Sequence, residues 1–192
     1  MDPVAVHDQL AGDLVIGVII AWVVFELVVR LRNPTPTNRR DPTLVVVVVC
    51  TGGAIGLGYR AAHADRAVIG GGWAIFAVGF ALLVGGFALR AWAILTLGRY
   101  FTPSVQIQQG QHVVQSGPYR YVRHPSYTGM LLALAGLGIA LDDWLSLLAL
   151  TLLPLVGLLV RIRHEESVLL DALGEDYRDY ASRTARLVPG VW

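Results

Sequence analysis

Val68–Leu97 reads VIGGGWAIFAVGFALLVGGFALRAWAILTL, thirty residues carrying one charge, Arg90. The hydrocarbon core of a bilayer is about 30 Å thick, and about 20 helical residues cross it at about 1.5 Å each. This run is long and apolar enough to be a span. Four more candidates flank it: Leu14–Val29, interrupted only by Glu26; Thr43–Tyr59; Tyr127–Leu141; and Trp144–Val160. Asp142 and Asp143 alone separate the last two, which predicts an antiparallel helical hairpin. Of the 192 residues, 55% are hydrophobic and 15% charged, against roughly 25% charged in soluble domains. That balance excludes a disordered chain and argues against a soluble fold.

The expected fold class is therefore an all-α integral membrane protein of about five transmembrane helices, closing on the hairpin and an amphipathic C-terminal helix. The first 13 residues carry Asp2, Asp8 and Asp13 but no Lys or Arg. A cleavable signal needs a positive leading region, so the first run is expected to be a retained span. Cys50 is the only cysteine, which excludes an internal disulfide.

All fifteen basic residues are arginine. The net charge of +1 gives no reason to expect nucleic-acid binding. Their placement is informative. Arg30, Arg32, Arg39 and Arg40 follow span one; Arg99, Arg120 and Arg123 follow span three; Arg161, Arg163, Arg178, Arg183 and Arg186 follow span five. These twelve fall on one side of a five-span chain and only Arg60 and Arg66 on the other. The positive-inside rule then puts the N-terminus outside and the tail in the cytoplasm. The all-Arg, Ala/Val/Gly-rich composition suggests GC-rich coding, hence a bacterial cytoplasmic membrane. Gly52 with Gly56, and Ala81 with Gly85, make small-xxx-small steps expected at close helix crossings. The string Gly53–Gly58 lacks the strand-to-helix context of a nucleotide loop and reads as packing.

Polar chemistry concentrates in two places. Gly98–Ser126, GRYFTPSVQIQQGQHVVQSGPYRYVRHPS, is too long and too rich in aromatic and hydrogen-bonding groups for a plain connector. Val105, Ile107, Val113 and Val114 alternate with glutamines, predicting short extended pieces around a Gln109–Gly110 turn, with amides free for a ligand. Pro125 suits a first helical turn, so His124–Pro125 is expected to open span four with its N-terminal amides facing this segment. The second cluster is Arg161–Glu166 and the tail beyond. Glu165 and Glu166 at a membrane exit suggest a site, although Arg163 and Glu166, at i, i+3, also suit a simple ion pair. No metal-ligand spacing is present, so no metal is expected.

Together GPYRYVRHPSYTG, the hairpin and RxRxEExxLLxxLGxxYxxY resemble the isoprenylcysteine carboxyl methyltransferase family, over roughly Gly98 to the end. The resemblance implies S-adenosylmethionine bound at the cytoplasmic boundary and a methyl group moved to a lipophilic acceptor (carboxylate, thiol or hydroxyl) entering from the bilayer. It implies a division at 97: residues 1–97 as a three-span membrane region, and 98–192 as a cofactor-binding catalytic region. Gln111, His112, Val113 and Val114 would lie along the cofactor, largely through backbone groups. Tyr119, His124, Pro125 and Tyr127 would line its pocket, Glu166 would hold its amino group, Glu165 would be a further cofactor-binding residue, and Tyr177 and Tyr180 would close the pocket. Arg123, Arg163 and Glu166 are the candidate catalytic residues. Expected partners are the acceptor and membrane lipids; the sequence leaves oligomeric state open. Phospholipid N-methylation, an NADPH-dependent sterol-type reductase and a non-enzymatic scaffold or transporter component are the alternatives.

Overall fold

Aspartates and prolines set where the apolar runs begin as helices. The computed structural model describes residues 4–33, 41–64, 67–104 and 107–190; Asp2, Arg39, Arg40, Arg66 and Val105 lie outside them. A single turn, α1 (Val4–His7), leads into α2 (Gln9–Arg32), capped where Asp8 accepts from the Ala11 amide at 3.1 Å. Helix α3 (Pro42–Ala62) has Asp41 as its cap and Pro42 in its first turn. There the proline's missing N–H is no loss. Helix α4 (Gly72–Leu97) follows, then α5 (Pro125–Ala140) and α6 (Trp144–Arg183). Asp143 caps α6, accepting from the Ser146 amide at 2.7 Å.

Helices α2, α3, α4 and α6 are long and apolar enough to cross a membrane, and α5 is a shorter apolar helix of 16 residues. The hairpin expected across Asp142–Asp143 is present. Two boundaries and one loop differ from expectation. The third span starts at Gly72 rather than Val68, because Gly70 and Gly72 adopt φ of 84° and 54° and the preceding backbone pairs elsewhere. Ile69 donates to the Asp142 carbonyl and Trp144 to that of Ala67, each at 2.9 Å. The fifth span does not stop at Val160: the helix runs on to Leu173, about 45 Å from Trp144 at 1.5 Å per residue, and after a kink at Gly174 (φ 56°) a second helical stretch continues to Arg183. The first part of the tail thus extends the span, and the part beyond Gly174 is a separate helical segment. Gly110 makes a turn with φ 71°, but no strand forms among the described residues.

The close crossings use other glycines than the expected ones. A Cβ on Gly79 would stand 2.7 Å from the Gly136 carbonyl oxygen, and one on Gly86 would stand 2.6 Å from that of Gly129. Both pairs are seven residues apart on their helices, so α4 and α5 meet backbone to backbone along two turns. Gly52, Gly56 and Gly85 have open space where a Cβ would be, so those small-xxx-small steps make no crossing. Spacing alone identifies small faces but not which of them a neighbour covers. In lipid, helices gain little from apolar burial against each other, and this close packing supplies the association instead. Gly58 against Leu150 and Gly157 against Val47 and Cys50 do the same for α3 and α6.

Helix α2 exposes most of its apolar side chains and is tied to the bundle on one side. Trp22 stacks on Phe87 with centroids 5.6 Å apart. Arg90 donates to Glu26 at 2.5 Å and to the Ser126 hydroxyl at 2.8 Å. The two charges that interrupt the apolar runs therefore neutralise each other. Beyond α6 the chain turns back across the start of α5. The Arg123 amide donates to the Ala185 carbonyl at 2.8 Å, His124 to that of Arg186 at 3.0 Å, and the Thr128 hydroxyl to that of Leu187 at 2.8 Å.

Candidate functional site

His124 precedes the first turn of α5 with φ −122° and ψ 57°, so Pro125 starts the helix and the imidazole points away from the cap. Its ring stacks on Tyr127, centroids 5.5 Å apart and nearly parallel. Two α6 carboxylates face this pair. Glu166 accepts from Arg123 Nε at 2.8 Å on one oxygen and from Arg186 Nε at 2.9 Å on the other, with His124 Nε2 3.4 Å away. Both oxygens are engaged. Among the described residues Glu165 instead accepts only from the Tyr127 hydroxyl, at 2.6 Å, and lies 3.9 Å from His124 Nδ1.

Arg161, buried, completes the floor. Its Nε donates to Tyr127 at 2.7 Å, one terminal nitrogen to Asp41 at 3.1 Å and the other to the Pro103 carbonyl at 2.5 Å. One side chain thus joins α6, α5, the start of α3 and the loop after α4. Arg123 is fastened as thoroughly, donating to the carbonyls of Ala181 and Thr184 as well as to Glu166.

His124, Tyr127, Arg161 and Glu165 border one cavity. Gln111, His112, Val113 and Val114 form part of its wall, as do Tyr119, His124 and Tyr127; Glu165, Tyr177 and Tyr180 face them from α6. Arg123 also reaches it. Among the described residues the amides of His112, Val113 and Val114 have no backbone partner. The Tyr180 hydroxyl donates to the Tyr119 carbonyl at 2.7 Å, joining the helix to the loop. The Tyr177 hydroxyl is buried without a hydrogen-bond partner among the described residues. Burial, reinforced by the Glu165 charge, pushes the Tyr119 phenol above its ordinary pKa, so it stays neutral.

Three sequence-derived site residues sit elsewhere. Glu166 and Pro125 are buried behind the cavity wall, Glu166 as the hub of its arginines. Arg163 is exposed and touches neither the cavity nor Glu166, whose partners are Arg123 and Arg186. Helical spacing explains the difference. Leu158, Arg161, Glu165, Leu169 and Leu173 recur every three or four residues and share the cavity face. Two residues from Glu165, Arg163 points about 200° away. Arg161, not Arg163, is the arginine of this α6 stretch that lines the cavity. The sequence also held a signal for Glu26 and Arg90, because charges inside apolar runs mark a pair or a site; both line the cavity.

Such features define a polytopic helical membrane protein with a polar cavity where loops meet the ends of its helices. Residues 77–171 match the family model described as "Isoprenylcysteine carboxyl methyltransferase (ICMT) family". Protein-S-isoprenylcysteine O-methyltransferase B of Arabidopsis thaliana is 35% identical over 121 residues, 62% of this chain and 61% of that protein. Protein-S-isoprenylcysteine O-methyltransferase of Tribolium castaneum is 37% identical over 116 residues, 59% of this chain and 41% of that protein. The chain thus spans about three fifths or less of the length of these relatives. The solved structure of the eukaryotic intramembrane Ras methyltransferase ICMT is similar with a TM-score of 0.67 and 25% identity, over 98% of this chain and 70% of that one. The chain is an integral membrane protein similar to the ICMT family in sequence and in fold.

Proposed function

We propose that the chain is a methyltransferase that moves a methyl group from S-adenosylmethionine to a lipophilic acceptor entering from the bilayer. The observation that carries this reading is one cavity with two kinds of wall. Glu165, Tyr177 and residues 112–114 line it together with the apolar Leu44, Val47, Met130 and Leu158. The residues fit the cofactor: a carboxylate with spare acceptor capacity faces the cavity, and an orphaned buried hydroxyl stands beside it. Glu165 would hold the cofactor's ammonium group, the amides of His112, Val113 and Val114 its polar edges, and Tyr177 and Tyr180 its outer face. Bound there, S-adenosylmethionine supplies a methyl group on a positively charged sulfur.

The chain's own task is alignment. Holding two reactants in a productive geometry is worth about 7–11 kcal/mol. The polar part fixes the donor end, while α2 and α3 border an apolar approach from lipid. Residues 1–97 then serve as the acceptor-side membrane region, and 98–192 as the donor-binding region. Arg30 lies at the α2 edge of the cavity and makes no hydrogen bond or ion pair among the described residues, which suits an acceptor bearing a negative charge. A carboxylate is already ionised at neutral pH and needs no general base. The names of the relatives support an acceptor with a prenyl chain and a carboxylate. Arginine placement supports a cytoplasmic cavity end.

The test incubates purified protein with methyl-labelled donor and S-farnesylated N-acetylcysteine, a fatty acid, a prenylated phenol or phosphatidylethanolamine. Label transferred to the farnesylated carboxylate and released as methanol by mild base is the expected result. Label in the lipid amine instead overturns the acceptor class; binding of NADPH with no donor binding overturns the methyltransferase reading.

A further inference from the structure

A second cleft lies outside the cavity, lined by Gln115, Ser116, Gly117, Arg120, Arg183 and Thr184. Tyr180 borders both. No carboxylate lines this cleft. Arg120 makes no hydrogen bond or ion pair among the described residues, and the only bond of Arg183 is from Nε to the Asp179 carbonyl, 3.2 Å. Two guanidinium groups therefore border one concavity with most of their donors unused. The side chains of Gln115 and Ser116 are likewise unbonded among the described residues. Like charges in one cleft repel, and an anion between them reverses the sign of that interaction. Guanidinium forks, a hydroxyl and an amide are the donor set that a tetrahedral oxyanion takes, with bidentate contacts from arginine.

The depth of the cleft says where such an anion would come from. Gly117 stands against the side chains of Trp92 and Thr96, in the last turns of α4. Trp92 and Tyr121 are 52% and 62% exposed, and exposed Trp and Tyr at the end of a span mark the headgroup level of a bilayer. We propose that the cleft between Arg120 and Arg183 binds a phosphate group, carried by an anionic phospholipid headgroup or by free phosphate. The site stands apart from the methyl-transfer reading and holds whether or not that reading does. Its occupant would rest against the far side of Tyr180, the residue that joins α6 to Tyr119.

The full chain, reconstituted in phosphatidylcholine nanodiscs with or without phosphatidylglycerol, tests this by native mass spectrometry and thermal unfolding. Wild type and Arg178→Gln, whose ion pair with Glu175 lies outside the cleft, should retain phosphatidylglycerol and unfold at a higher temperature with it. Arg120→Gln plus Arg183→Gln should cut retention at least fivefold and abolish the shift. Arg120→Gln alone, which removes no contact of the fold, should lower retention in the same direction. Inorganic phosphate added to detergent-solubilised protein separates the sources. A shift with phosphate identifies a soluble anion, and a shift with phosphatidylglycerol only identifies a lipid. Retention unchanged in the double variant, or no response to either probe, overturns the proposal.

Discussion

Arg161 donates through Nε to the hydroxyl oxygen of Tyr127 across 2.7 Å, which commits the hydroxyl's own proton to Glu165 at 2.6 Å. The direction of the chain from Arg161 through Tyr127 to Glu165 is therefore fixed. Glu165 is held in place by a neutral hydroxyl and lines the cavity. Tyr127→Phe cuts both links. Affinity for S-adenosylhomocysteine, read by calorimetry, should fall about tenfold, or about 1.4 kcal/mol. Unchanged affinity would remove Glu165 from the donor site.

Tyr177→Phe isolates the orphaned hydroxyl. A buried donor with no partner costs about 1–3 kcal/mol, so the variant should unfold at the same or a higher temperature without ligand. Its affinity for S-adenosylhomocysteine should nonetheless fall several-fold, because the hydroxyl finds its partner only in the ligand. A stabilised variant with undiminished affinity would make the hydroxyl a packing defect.

Glu166→Gln and Arg163→Gln separate the hub from the bystander. Removing Glu166 strips the counter-charge from Arg123, whose side chain is 9% exposed, and from Arg186. Breaking a buried pair costs about 3–5 kcal/mol; with Arg186 a third exposed, about 3 kcal/mol is expected, read from denaturation in detergent. Arg163→Gln should stay within about 0.5 kcal/mol, as exposed positions do, with no change in donor affinity. Equal losses in the two would contradict the placement of Arg163.

Glycine substitutions test the helix crossings. Gly136→Ala drives a methyl to 2.7 Å from the Gly79 carbonyl oxygen, and overpacking of this kind costs about 1–3 kcal/mol. Gly52→Ala meets nothing within 4 Å and should be neutral or stabilising, since alanine gains about 0.8–1.0 kcal/mol over glycine in a helix. Thermal unfolding of the two variants should move in opposite directions. A shared loss would place a second surface against Gly52.

Length and hydropathy were enough to read the membrane class, the number of apolar helices and the hairpin at Asp142–Asp143, because these depend on local composition. Which glycines touch was not legible: Gly52 and Gly79 look alike along the chain, and only a neighbour distinguishes them. The site shows the same division. Tyr119, His124 and Tyr127 lie close together in the sequence and reach one wall. Glu165 and Glu166 are adjacent yet turn to opposite jobs, one toward the cavity and one behind it, a difference of about 100° of helix that residue type does not encode. Arg186, read at first only as part of a charge asymmetry, proved to hold Glu166 from a segment with no regular structure.

That segment also imposes an order of events. Residues 184–187 follow every helix of the bundle, yet their carbonyls receive the amides of Arg123 and His124 and the hydroxyl of Thr128. A ribosome delivers them only after all the helices have been made. The bundle can insert and pack in the meantime, and Arg123 can already meet Glu166 and Ala181, but the bonds of Arg123 and His124 to this stretch, and that of Glu166 to Arg186, form only when it folds back. The molecule is therefore a membrane protein before it has a site, and a nascent chain stalled before residue 184 would be inserted but incomplete at the position where its chemistry is proposed.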